Sequence, residues 1–282
     1  MSEYKSFYKT VGGNEGGKCH YPTRLDTYGC GCQHDCKYCY AKSLLSFRGL
    51  WDADNPAVAD IDKIRRKVSK LETRAVVRLG GMTDCFQPIE RREKITYNTI
   101  KALNARGVGY LIVTKSGMIA EDEYINILDK DLAHIQITVT CFDDDLYKRL
   151  DYERAPLPST RIKAVERLYN AGFDVQLRLS PFVPEFVDVG QINGIECEKV
   201  LVEFLRVNSW VKKWFDIDFS EYTVKQNGYL HLPLEKKIDY ISKIKGKRVT
   251  VCEDETEAYN YWRDHFNPNK DDCCDLWIKK TY

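Results

Sequence analysis

The sequence predicts an α/β fold in which parallel strands joined by helices form a partial barrel of the (β/α)6 type with a C-terminal extension. Apolar β-branched runs alternate with amphipathic stretches, which is the order of repeated strand and helix units. Glycines and polar residues follow several of the predicted strands, where barrel enzymes carry their chemistry. A flat doubly wound sheet would show the same alternation, and the choice of a barrel rests partly on a cysteine motif ahead of the first strand.

The elements follow in chain order from hydrophobic period and from turn residues. Strands are predicted over 75–79, 109–114, 135–141, 175–179 and 215–219. Helices are predicted over 91–106, 121–128 and 159–171, the last closed by Gly172. Beyond residue 221 the pattern changes to a hairpin over 222–232 around Asn227-Gly228 and a helix over 254–265. We therefore predict a barrel over 1–221, with its cysteine loop at 30–41, and a cap or extension over 222–282 that forms a separate unit or part of the same domain.

The composition is that of an ordinary globular protein, with 43% hydrophobic and 30% charged residues in 282. No stretch approaches the roughly 18 apolar residues of a membrane span, and the first residues lack the apolar core of a signal peptide. We therefore expect a cytoplasmic protein with no membrane partner. The formal charge of +1 argues neither for nor against nucleic acid as a partner.

Cysteine usage gives the strongest chemical signal. Eleven cysteines without an export signal favour metal ligation over disulfides, because the cytosol keeps thiols reduced. Cys32, Cys36 and Cys39 have the spacing C-x3-C-x2-C. Three thiolates can hold three irons of a 4Fe-4S cluster, and the fourth iron then stays open to a small molecule. The triplet therefore predicts a cluster with one reactive iron.

A structural zinc site is the alternative for this loop. Such a site needs four ligands, and Cys30 or His34 could supply the fourth. Tyr38 and Tyr40, which bracket the third cysteine of the triplet, argue against zinc because a structural zinc loop has no need of them.

The loop and four later motifs resemble the radical S-adenosylmethionine (radical SAM) superfamily, and within it the branch of spore photoproduct lyase and DNA repair photolyase-like proteins. The cysteine loop at 31–41 is similar to the cluster loop of that branch. Further similar segments are the T-D-C-F-Q-P-I-E run at 83–90, V-T-K-S at 113–116, R-A-P at 154–156 and S-P-F-V-P at 180–184. The resemblance implies a radical SAM barrel.

That resemblance also implies a first half-reaction and two cofactors, a 4Fe-4S cluster and S-adenosylmethionine. In the family, S-adenosylmethionine chelates the open iron, and one electron from the cluster breaks a carbon–sulfur bond. The resulting 5′-deoxyadenosyl radical abstracts a hydrogen atom from the substrate. The electron comes from a donor such as a flavodoxin or ferredoxin, which is therefore an expected partner.

The resemblance points to five residues for S-adenosylmethionine. Gly80 and Gly81 match the glycine-rich strand end, where missing side chains let the backbone approach the cofactor. Asp84 is a candidate acceptor for ribose hydroxyls or the amino group. Lys115 and Arg178 are candidates to pair with the methionine carboxylate, and surface ion pairs are the alternative for both.

The second half-reaction is where the sequence departs from spore photoproduct lyase. The family returns the abstracted hydrogen through a cysteine and two tyrosines, and Tyr38 and Tyr40 match those tyrosines. Met82 stands where the family has its hydrogen-donating cysteine, and Met has no transferable S–H. Cys85, three residues further on, is a substitute donor or a structural thiol.

Three distal cysteines form a second candidate metal site. Cys252, Cys273 and Cys274 could hold an auxiliary iron–sulfur cluster with a fourth group such as Cys19, His265 or a substrate atom. Adjacent cysteines do not readily bond to each other, which argues against a disulfide here. The alternative is a trio of reduced, partly buried thiols.

Three functions are consistent with these observations. The first is a radical SAM enzyme that acts on a nucleobase in DNA repair or base modification, with the hairpin at 222–232 contacting a duplex. The second is radical modification of a peptide or small metabolite, aided by the auxiliary cluster. The third is a non-enzymatic protein with zinc in both cysteine groups.

Overall fold

A computed structural model describes residues 6–9, 21, 23–73, 75–270 and 272–276, and the structural statements below concern these residues. The strands are β1 Phe7–Lys9, β2 Thr23–Leu25, β3 Tyr28–Gly29, β4 Ala57–Val58, β5 Val76–Leu79, β6 Gly109–Thr114, β7 Ala133–Thr138, β8 Asp174–Phe182, β9 Lys199–Phe204, β10 Val224–Gln226, β11 Tyr229–His231 and β12 Arg248–Val251. The helices are α1 Tyr40–Phe47, α2 Ile61–Val68, α3 Glu90–Glu93, α4 Ile95–Arg106, α5 Asp122–Ile125, α6 Asp144–Leu150, α7 Pro158–Asn170, α8 Val189–Gly194, α9 Ser209–Trp214, α10 Leu234–Ser242 and α11 Thr256–His265. Two 3-10 helices span Gly117–Ala120 and Pro184–Phe186.

One sheet organises the molecule. Its strand order is β1-β2-β5-β6-β7-β8-β9-β12, and all neighbours are parallel except the β1-β2 pair. The order of the seven parallel strands follows the chain without reversal, as in a barrel, whereas a doubly wound sheet reverses at a switch point. The described strands β2 and β12 do not pair with each other, so the barrel is open. The α/β partial-barrel prediction is confirmed.

Most predicted elements have a counterpart in the structure. The strand over 109–114 is confirmed as β6, and three other strands and the helix α7 differ from their predicted bounds by a few residues. The single helix predicted over 91–106 is divided into α3 and α4, because Lys94 adopts a left-handed conformation with φ of 55°. The helix predicted over 121–128 is shorter, since only Asp122–Ile125 is α-helical.

The strand predicted over 215–219 is wrong. The described chain there follows α9, and Phe215 packs against Tyr38, Tyr152 and Phe186 instead of joining the sheet. The sixth and seventh parallel strands are β9 and β12, which the sequence reading missed. Since β12 lies within the predicted extension and pairs with β9, part of that extension completes the sheet. The division at residue 221 otherwise stays a prediction.

The predicted hairpin is confirmed. Strands β10 and β11 pair antiparallel, and the two residues between them have positive φ angles of 49° at Asn227 and 83° at Gly228. Two consecutive left-handed residues are typical of a type I′ turn, whose twist suits a two-residue hairpin. The helix predicted over 254–265 is α11, whose N-cap is the Glu255 carboxylate.

The core lies between the sheet and its helices. Buried aliphatic side chains of the central strands, such as Ile112, Ile135 and Leu177, pack with those of α4 and α7. No helix in the described part of the chain has the length and apolar character needed to cross a membrane.

Candidate active site

A cavity of about 210 Å³ opens at the carboxyl ends of the parallel strands, the end at which barrel enzymes place their sites. It brings together most of the residues that the sequence singled out, although these come from distant parts of the chain. Those that line it are Cys32, Cys36, Tyr38, Cys39, Tyr40, Gly80, Gly81, Asp84, Lys115, Arg178, Cys252 and Cys274. Cys85 and Cys273 are not among its lining residues.

The cysteine loop is tightly folded against the segment that follows α1. The backbone of Cys30 has a positive φ of 56°, and its carbonyl accepts a hydrogen bond of 2.9 Å from the Asp52 amide. A Cβ atom on Gly31 would lie 1.7 Å from the Asp52 carbonyl oxygen, so no other residue fits without moving the backbone. The third cysteine, Cys39, is the N-cap of α1. These contacts therefore fix the position of the cysteine loop on both sides of the triplet.

The triplet thiols are withdrawn from solvent. Burial is the main cause that raises the pKa of Cys32 to about 12, and the charge of Asp84 is the second. Burial also raises the pKa of Cys36, well above its usual value, and that of Cys39. Buried thiols of this kind stay neutral until a cation is bound, because metal ligation is what stabilises the thiolates. The site therefore suits a ligand that brings its own positive charge.

The arrangement of the thiols bears on which metal group fits. Within the described residues, no group of three or more His, Cys, Asp or Glu side chains is arranged to hold a metal ion. A cubane cluster makes a different demand, since each cysteine binds a separate iron and the sulfurs stand apart. The triplet supplies only thiols, the ligands that iron–sulfur clusters use, and all three line one cavity. These residues fit a 4Fe-4S cluster better than a single zinc ion.

Glu153 is a buried carboxylate beside the triplet that the sequence reading missed. Its Oε2 atom accepts hydrogen bonds from the Cys36 thiol at 3.3 Å and from the Tyr38 hydroxyl. Its Oε1 atom lies 2.6 Å from Arg161 Nη2, and both side chains are fully buried. Burial alone would raise the pKa of Glu153, but the charges of Arg161 and Lys115 lower it to about 2. A permanent negative charge thus contacts a candidate ligand.

The segment 152–154 also holds the cysteine loop through its backbone. The Arg154 amide donates to the His34 carbonyl at 2.6 Å, and the Lys37 amide donates to the Tyr152 carbonyl at 2.8 Å. The R-A-P motif therefore begins at a point of attachment of the loop.

The segment 83–90 is a second attachment. The Gln87 side chain accepts from the Gln33 amide at 2.8 Å, and the Gln33 side chain accepts from the Ile89 amide at 2.7 Å. Gln87 is completely buried, so this exchange takes place away from solvent. Gln87 and Ile89 of the T-D-C-F-Q-P-I-E motif thus support the cysteine loop.

Asp84 ties three elements together at the cavity wall. Its carboxylate accepts hydrogen bonds of 2.7 Å from the Thr114 hydroxyl and the Lys115 amide and of 2.8 Å from the Phe86 amide. His34 Nε2 lies 3.3 Å from Asp84 Oδ2. Burial would raise the pKa of Asp84, but the imidazole of His34 and the amide donors lower it to about 2. The Asp84 oxygens already accept hydrogen bonds from the protein. Asp84 therefore serves to hold the cavity wall together more than to accept a hydrogen bond from a ligand.

The two glycines follow β5, and Gly80 lies against the neighbouring strand β6. Gly80 has φ of 80°, and a Cβ atom there would stand 2.8 Å from the Val113 carbonyl oxygen. The Gly81 amide donates to Asp26 Oδ1 at 2.7 Å, and its carbonyl accepts from the Tyr40 hydroxyl at 2.6 Å. Both neighbours, Asp26 and Tyr40, fix the backbone of this turn beside the triplet.

Lys115 and Tyr38 face each other across the cavity wall. Lys115 Nζ lies 5.4 Å from the centre of the Tyr38 ring, within cation–π distance. Burial would lower the pKa of Lys115, but its interactions with Cys36 and with the Glu153 carboxylate raise it. The ammonium group therefore stays charged in the cavity.

Arg178 is held in place by two neighbours. Its Nη1 donates to Gln136 Oε1 at 2.7 Å, and its Nη2 pairs with Glu203. Glu203 also lies 3.1 Å from Arg206 Nη2. Two cations of the wall also face carboxylates behind it, since Lys115 interacts with Glu153 and Arg206 pairs with Asp254. The lining itself includes four cations and two carboxylates. These charged residues are Arg78, Lys115, Arg178, Arg206, Asp84 and Glu203.

The distal cysteines meet at the same cavity. Cys252 follows β12, and the sulfur of Cys273 is within hydrogen-bonding contact of both Cys252 and Cys274. Two of the three, Cys252 and Cys274, line the cavity. Cys19, one of the suggested fourth ligands, lies outside the described residues. Nothing in the sequence pattern placed these thiols near the triplet.

Cys85 does not reach the cavity. Its side chain is completely buried in the hydrophobic core, and burial raises its thiol pKa well above the usual value. A hydrogen donor has to contact the substrate, so the structure separates Cys85 from the role considered for it. The cavity instead contains the two tyrosines. The Tyr38 hydroxyl donates a hydrogen bond to the Glu153 carboxylate, and the Tyr40 hydroxyl donates one to the Gly81 carbonyl.

The hairpin contributes a residue that the sequence reading missed. Tyr229, in β11, lines the cavity, and the guanidinium carbon of Arg206 lies 5.9 Å from the centre of its ring. An arginine and an aromatic ring at one wall form a surface against which a flat ligand can stack.

The family of this protein follows from comparison with known sequences. The family model for the radical SAM superfamily matches residues 27–186, more than half of the chain, and the chain belongs to this superfamily. Membership implies a 4Fe-4S cluster and S-adenosylmethionine as cofactors, and it makes the protein an enzyme. The non-enzymatic zinc protein considered above is therefore not supported.

The chain is also similar to an individual protein sequence and to solved structures. An uncharacterized protein of Methanocaldococcus jannaschii is 28% identical over 170 residues, which are 58% of this chain and 62% of the relative, less than two thirds of its length. Spore photoproduct lyase complexed with dinucleoside spore photoproduct has a TM-score of 0.57 at 13% identity, covering 82% of this chain and 77% of that one. SuiB of Streptococcus suis bound to S-adenosylmethionine has a TM-score of 0.53 at 14% identity, covering 83% of this chain and 51% of that one. At such identities the two structures show a shared fold alone.

Proposed function

We propose that this radical SAM enzyme abstracts a hydrogen atom from a nucleobase-type substrate, in DNA repair or base modification. The cluster and S-adenosylmethionine, when bound, supply the 5′-deoxyadenosyl radical that performs the abstraction. The chain's own task is to hold both cofactors and the substrate in one shielded space.

The observation that carries the proposal is the placement of Tyr229 and Arg206 in the cavity that also contains the triplet. Bases that leave a stack are commonly held against aromatic rings and guanidinium planes. Guanidinium groups at the cavity wall, those of Arg178 and Arg206, suit the phosphates that accompany a nucleobase. Spore photoproduct lyase, which shares the fold, is complexed in one structure with a dinucleoside photoproduct.

The remaining roles in the proposal follow from position and charge. Cys32, Cys36 and Cys39 bind the cluster, as the superfamily motif implies. Lys115 and Arg178 attract the carboxylate of S-adenosylmethionine, and Arg178 is already oriented by Gln136 and Glu203. Gly80 and Gly81 let the cofactor approach the backbone at the end of β5. Tyr38 and Tyr40 are the candidates to return a hydrogen atom, because both hydroxyls are hydrogen-bonded within the cavity wall.

Isotope transfer is the most direct test of the substrate class. The anaerobically reconstituted enzyme would be incubated with S-adenosylmethionine, dithionite and oligonucleotides deuterated in their bases. We expect deuterium in 5′-deoxyadenosine, because the radical takes its hydrogen from the substrate. Formation of 5′-deoxyadenosine without deuterium from any oligonucleotide would contradict the nucleobase proposal and leave the radical chemistry intact.

A pair of tyrosine variants tests the stacking surface. Tyr229→Leu removes the ring from the cavity, and Tyr169→Leu removes an equally large ring exposed on α7. We expect Tyr229→Leu to weaken oligonucleotide binding by roughly 10-fold, in line with about 1–3 kcal/mol for a stacked base. Tyr169→Leu should leave binding unchanged.

A second candidate function rests on the distal cysteines. Radical modification of a peptide or small metabolite would use an auxiliary iron–sulfur cluster on Cys252, Cys273 and Cys274, two of which line the cavity. The test is iron and sulfide analysis of the Cys273→Ala/Cys274→Ala variant. A fall from about eight irons per chain to about four would support the auxiliary cluster. Iron content near four in both proteins would remove it.

A further inference from the structure

The short segment 272–276, beyond helix α11, returns to the sheet on its cavity side. Leu276 is buried in one cluster with Val76 of β5 and Leu111 of β6. Cys274 packs against the same cluster and also lines the cavity. The segment therefore supplies part of the wall of the candidate active site.

Buried polar contacts hold this segment in place. Asp275 Oδ2 lies 2.6 Å from Arg248 Nη2 and 3.2 Å from Lys199 Nζ, which are the first residues of β12 and β9. The Thr250 hydroxyl donates a hydrogen bond of 2.7 Å to the Cys273 carbonyl. The backbone of Cys273 is therefore fixed beside β12.

Cys252 stands on the same side of β12 as this contact. Its amide donates to the Val202 carbonyl at 2.9 Å, so the pairing of β12 with β9 continues through it. Alternate residues of a strand share a face, which places Cys252 on the face of Thr250. The sulfur of Cys273 is within hydrogen-bonding contact of the Cys252 sulfur. The two thiols therefore meet because both backbones are attached to one strand.

The two thiols differ from the core cysteines in access. Cys252 and Cys273 are half-buried, whereas Cys85, Cys141 and Cys197 are buried. Cys252 lines the cavity, and Cys273 is not among the lining residues. A small molecule in the cavity therefore reaches the Cys252 sulfur first, with the Cys273 sulfur in contact next to it.

We propose that Cys252 and Cys273 form a reversible disulfide by exchange with a low-molecular-weight disulfide such as oxidised glutathione. Deprotonated Cys252 attacks one sulfur of the glutathione disulfide, whose S–S bond breaks and releases one glutathione. Deprotonated Cys273 then attacks the Cys252 sulfur and displaces the second glutathione. The two cysteines lose two electrons to the glutathione disulfide, and their two protons end on the two released glutathiones.

The product connects the segment 272–276 covalently to β12 and changes the cavity wall at Cys252. It joins residues that are distant in the chain, and it avoids the bond between adjacent cysteines that disulfide geometry disfavours. An auxiliary iron–sulfur cluster is the competing state of these thiols. A cluster needs sulfurs that stand apart on separate irons, whereas the Cys273 sulfur contacts both Cys252 and Cys274. The inference is independent of the substrate class.

Peptide mapping tests the bond directly. The anaerobically reconstituted full-length enzyme, with its triplet loaded, is treated with oxidised glutathione, blocked with N-ethylmaleimide and digested with trypsin without reduction. Trypsin releases Cys252 in the peptide 249–263 and the two adjacent cysteines in the peptide 271–279. Mass spectrometry then looks for these two peptides linked together, two hydrogens lighter than the separate peptides. Iron content before and after oxidation verifies that the triplet keeps its cluster.

Three variants assign the bond to its residues. Cys252→Ser and Cys273→Ser each remove one partner, and Cys274→Ser removes the adjacent thiol and is the matched control. We expect the linked peptides in the wild type and in Cys274→Ser, and we expect none in the other two variants. Excess reduced glutathione should remove the linkage. The oxidised wild type should unfold at a temperature about 5–10 °C higher than the reduced protein, because the bond restricts the unfolded chain.

The wild-type experiment needs no substitution, so a variant that fails to fold leaves the test intact. Absence of the linked peptides from the oxidised wild type would overturn the proposal. Linkage that persists in Cys273→Ser and disappears in Cys274→Ser would overturn the pairing. Iron content of about eight atoms per chain, with all three distal thiols protected from N-ethylmaleimide and no linkage, would overturn it in favour of the auxiliary cluster.

Discussion

The Sγ atom of Cys36 lies 3.3 Å from Oε2 of Glu153, although 117 residues separate them in the chain. The carboxylate is buried and paired with Arg161, so its negative charge is held in place beside a candidate ligand of the cluster. Charge close to an iron–sulfur cluster is one of the factors that set its reduction potential. This contact therefore connects the loop architecture to the electronic properties of the site.

Replacing Glu153 with glutamine should raise the cluster potential. The variant removes a negative charge that disfavours adding an electron, and it keeps the side-chain volume. It also leaves Arg161 without its buried partner, so the free energy of unfolding should fall by about 3–5 kcal/mol. A redox titration followed by electron paramagnetic resonance measures the first effect. An unchanged potential in Glu153→Gln would contradict this role, and Glu235→Gln, at an exposed site on α10, is the control.

Gly31→Ala should impair loading of the cluster. The added Cβ would stand 1.7 Å from the Asp52 carbonyl oxygen, so the loop must move away from the segment after α1. We expect reconstituted iron to fall well below about four atoms per chain. Gly194→Ala is the matched control, because a Cβ there meets nothing within 4 Å. Normal iron content in Gly31→Ala would show that the loop tolerates the displacement.

Stability should depend on acid through Glu203. Burial would raise its pKa, but the charges of Arg178 and Arg206 lower it to about 2 from an ordinary value of 4.5. Because the folded pKa is the lower one, the stabilisation is complete above pH 4.5 and is lost as the pH falls toward 2. By pH 3.5 the linkage relation gives a loss of about 1 to 2 kcal/mol from this group.

Urea unfolding of the cluster-free protein at pH 7 and pH 3.5 measures that loss. Glu203→Gln should be less stable than the wild type at pH 7 and should lose about 1 to 2 kcal/mol less between the two pH values. Equal acid sensitivity of the two proteins would refute the assignment.

Gly228→Ala should loosen the hairpin that carries Tyr229. Gly228 has φ of 83°, and since a Cβ would meet no atom within 4 Å, the cost is purely conformational. A left-handed alanine costs about 1–2 kcal/mol. Oligonucleotide binding should weaken while iron content stays normal, since the turn lies outside the cysteine loop. Loss of iron together with unchanged oligonucleotide binding would contradict this prediction.

Local pattern was enough to predict the parallel β/α architecture and the hairpin, because hydrophobic period and the Asn227-Gly228 pair act over a few residues. A signal for β9 is also present in the sequence, since K-V-L-V-E-F at Lys199–Phe204 is a short apolar run. The break between α3 and α4 was not predictable in this way. It coincides with the buried Glu90 carboxylate, which accepts from the Thr96 and Tyr97 amides at the start of α4.

The candidate site likewise combines local features that the sequence predicts with long-range contacts that it does not. The triplet is local, and its spacing alone predicted the cluster. The contacts of Glu153, Asp26 and Tyr229 with the site depend on chain segments that meet only after the sheet forms, so no spacing encodes them. Cys85 illustrates the converse, because its position in the chain resembled that of a donor while its side chain points into the core.

The cavity wall is assembled from residues as far apart as Cys39 and Cys252, and this affects the order of events during synthesis. The ribosome adds roughly 5–20 residues per second, so the triplet emerges on the order of ten seconds or more before β12 can pair with β9. Until that pairing occurs, the part of the wall that Cys252 and Cys274 supply is missing, so the cavity that contains the triplet is open on that side. Cluster delivery during translation would therefore meet an open half-barrel, and delivery afterwards would require entry through the finished cavity.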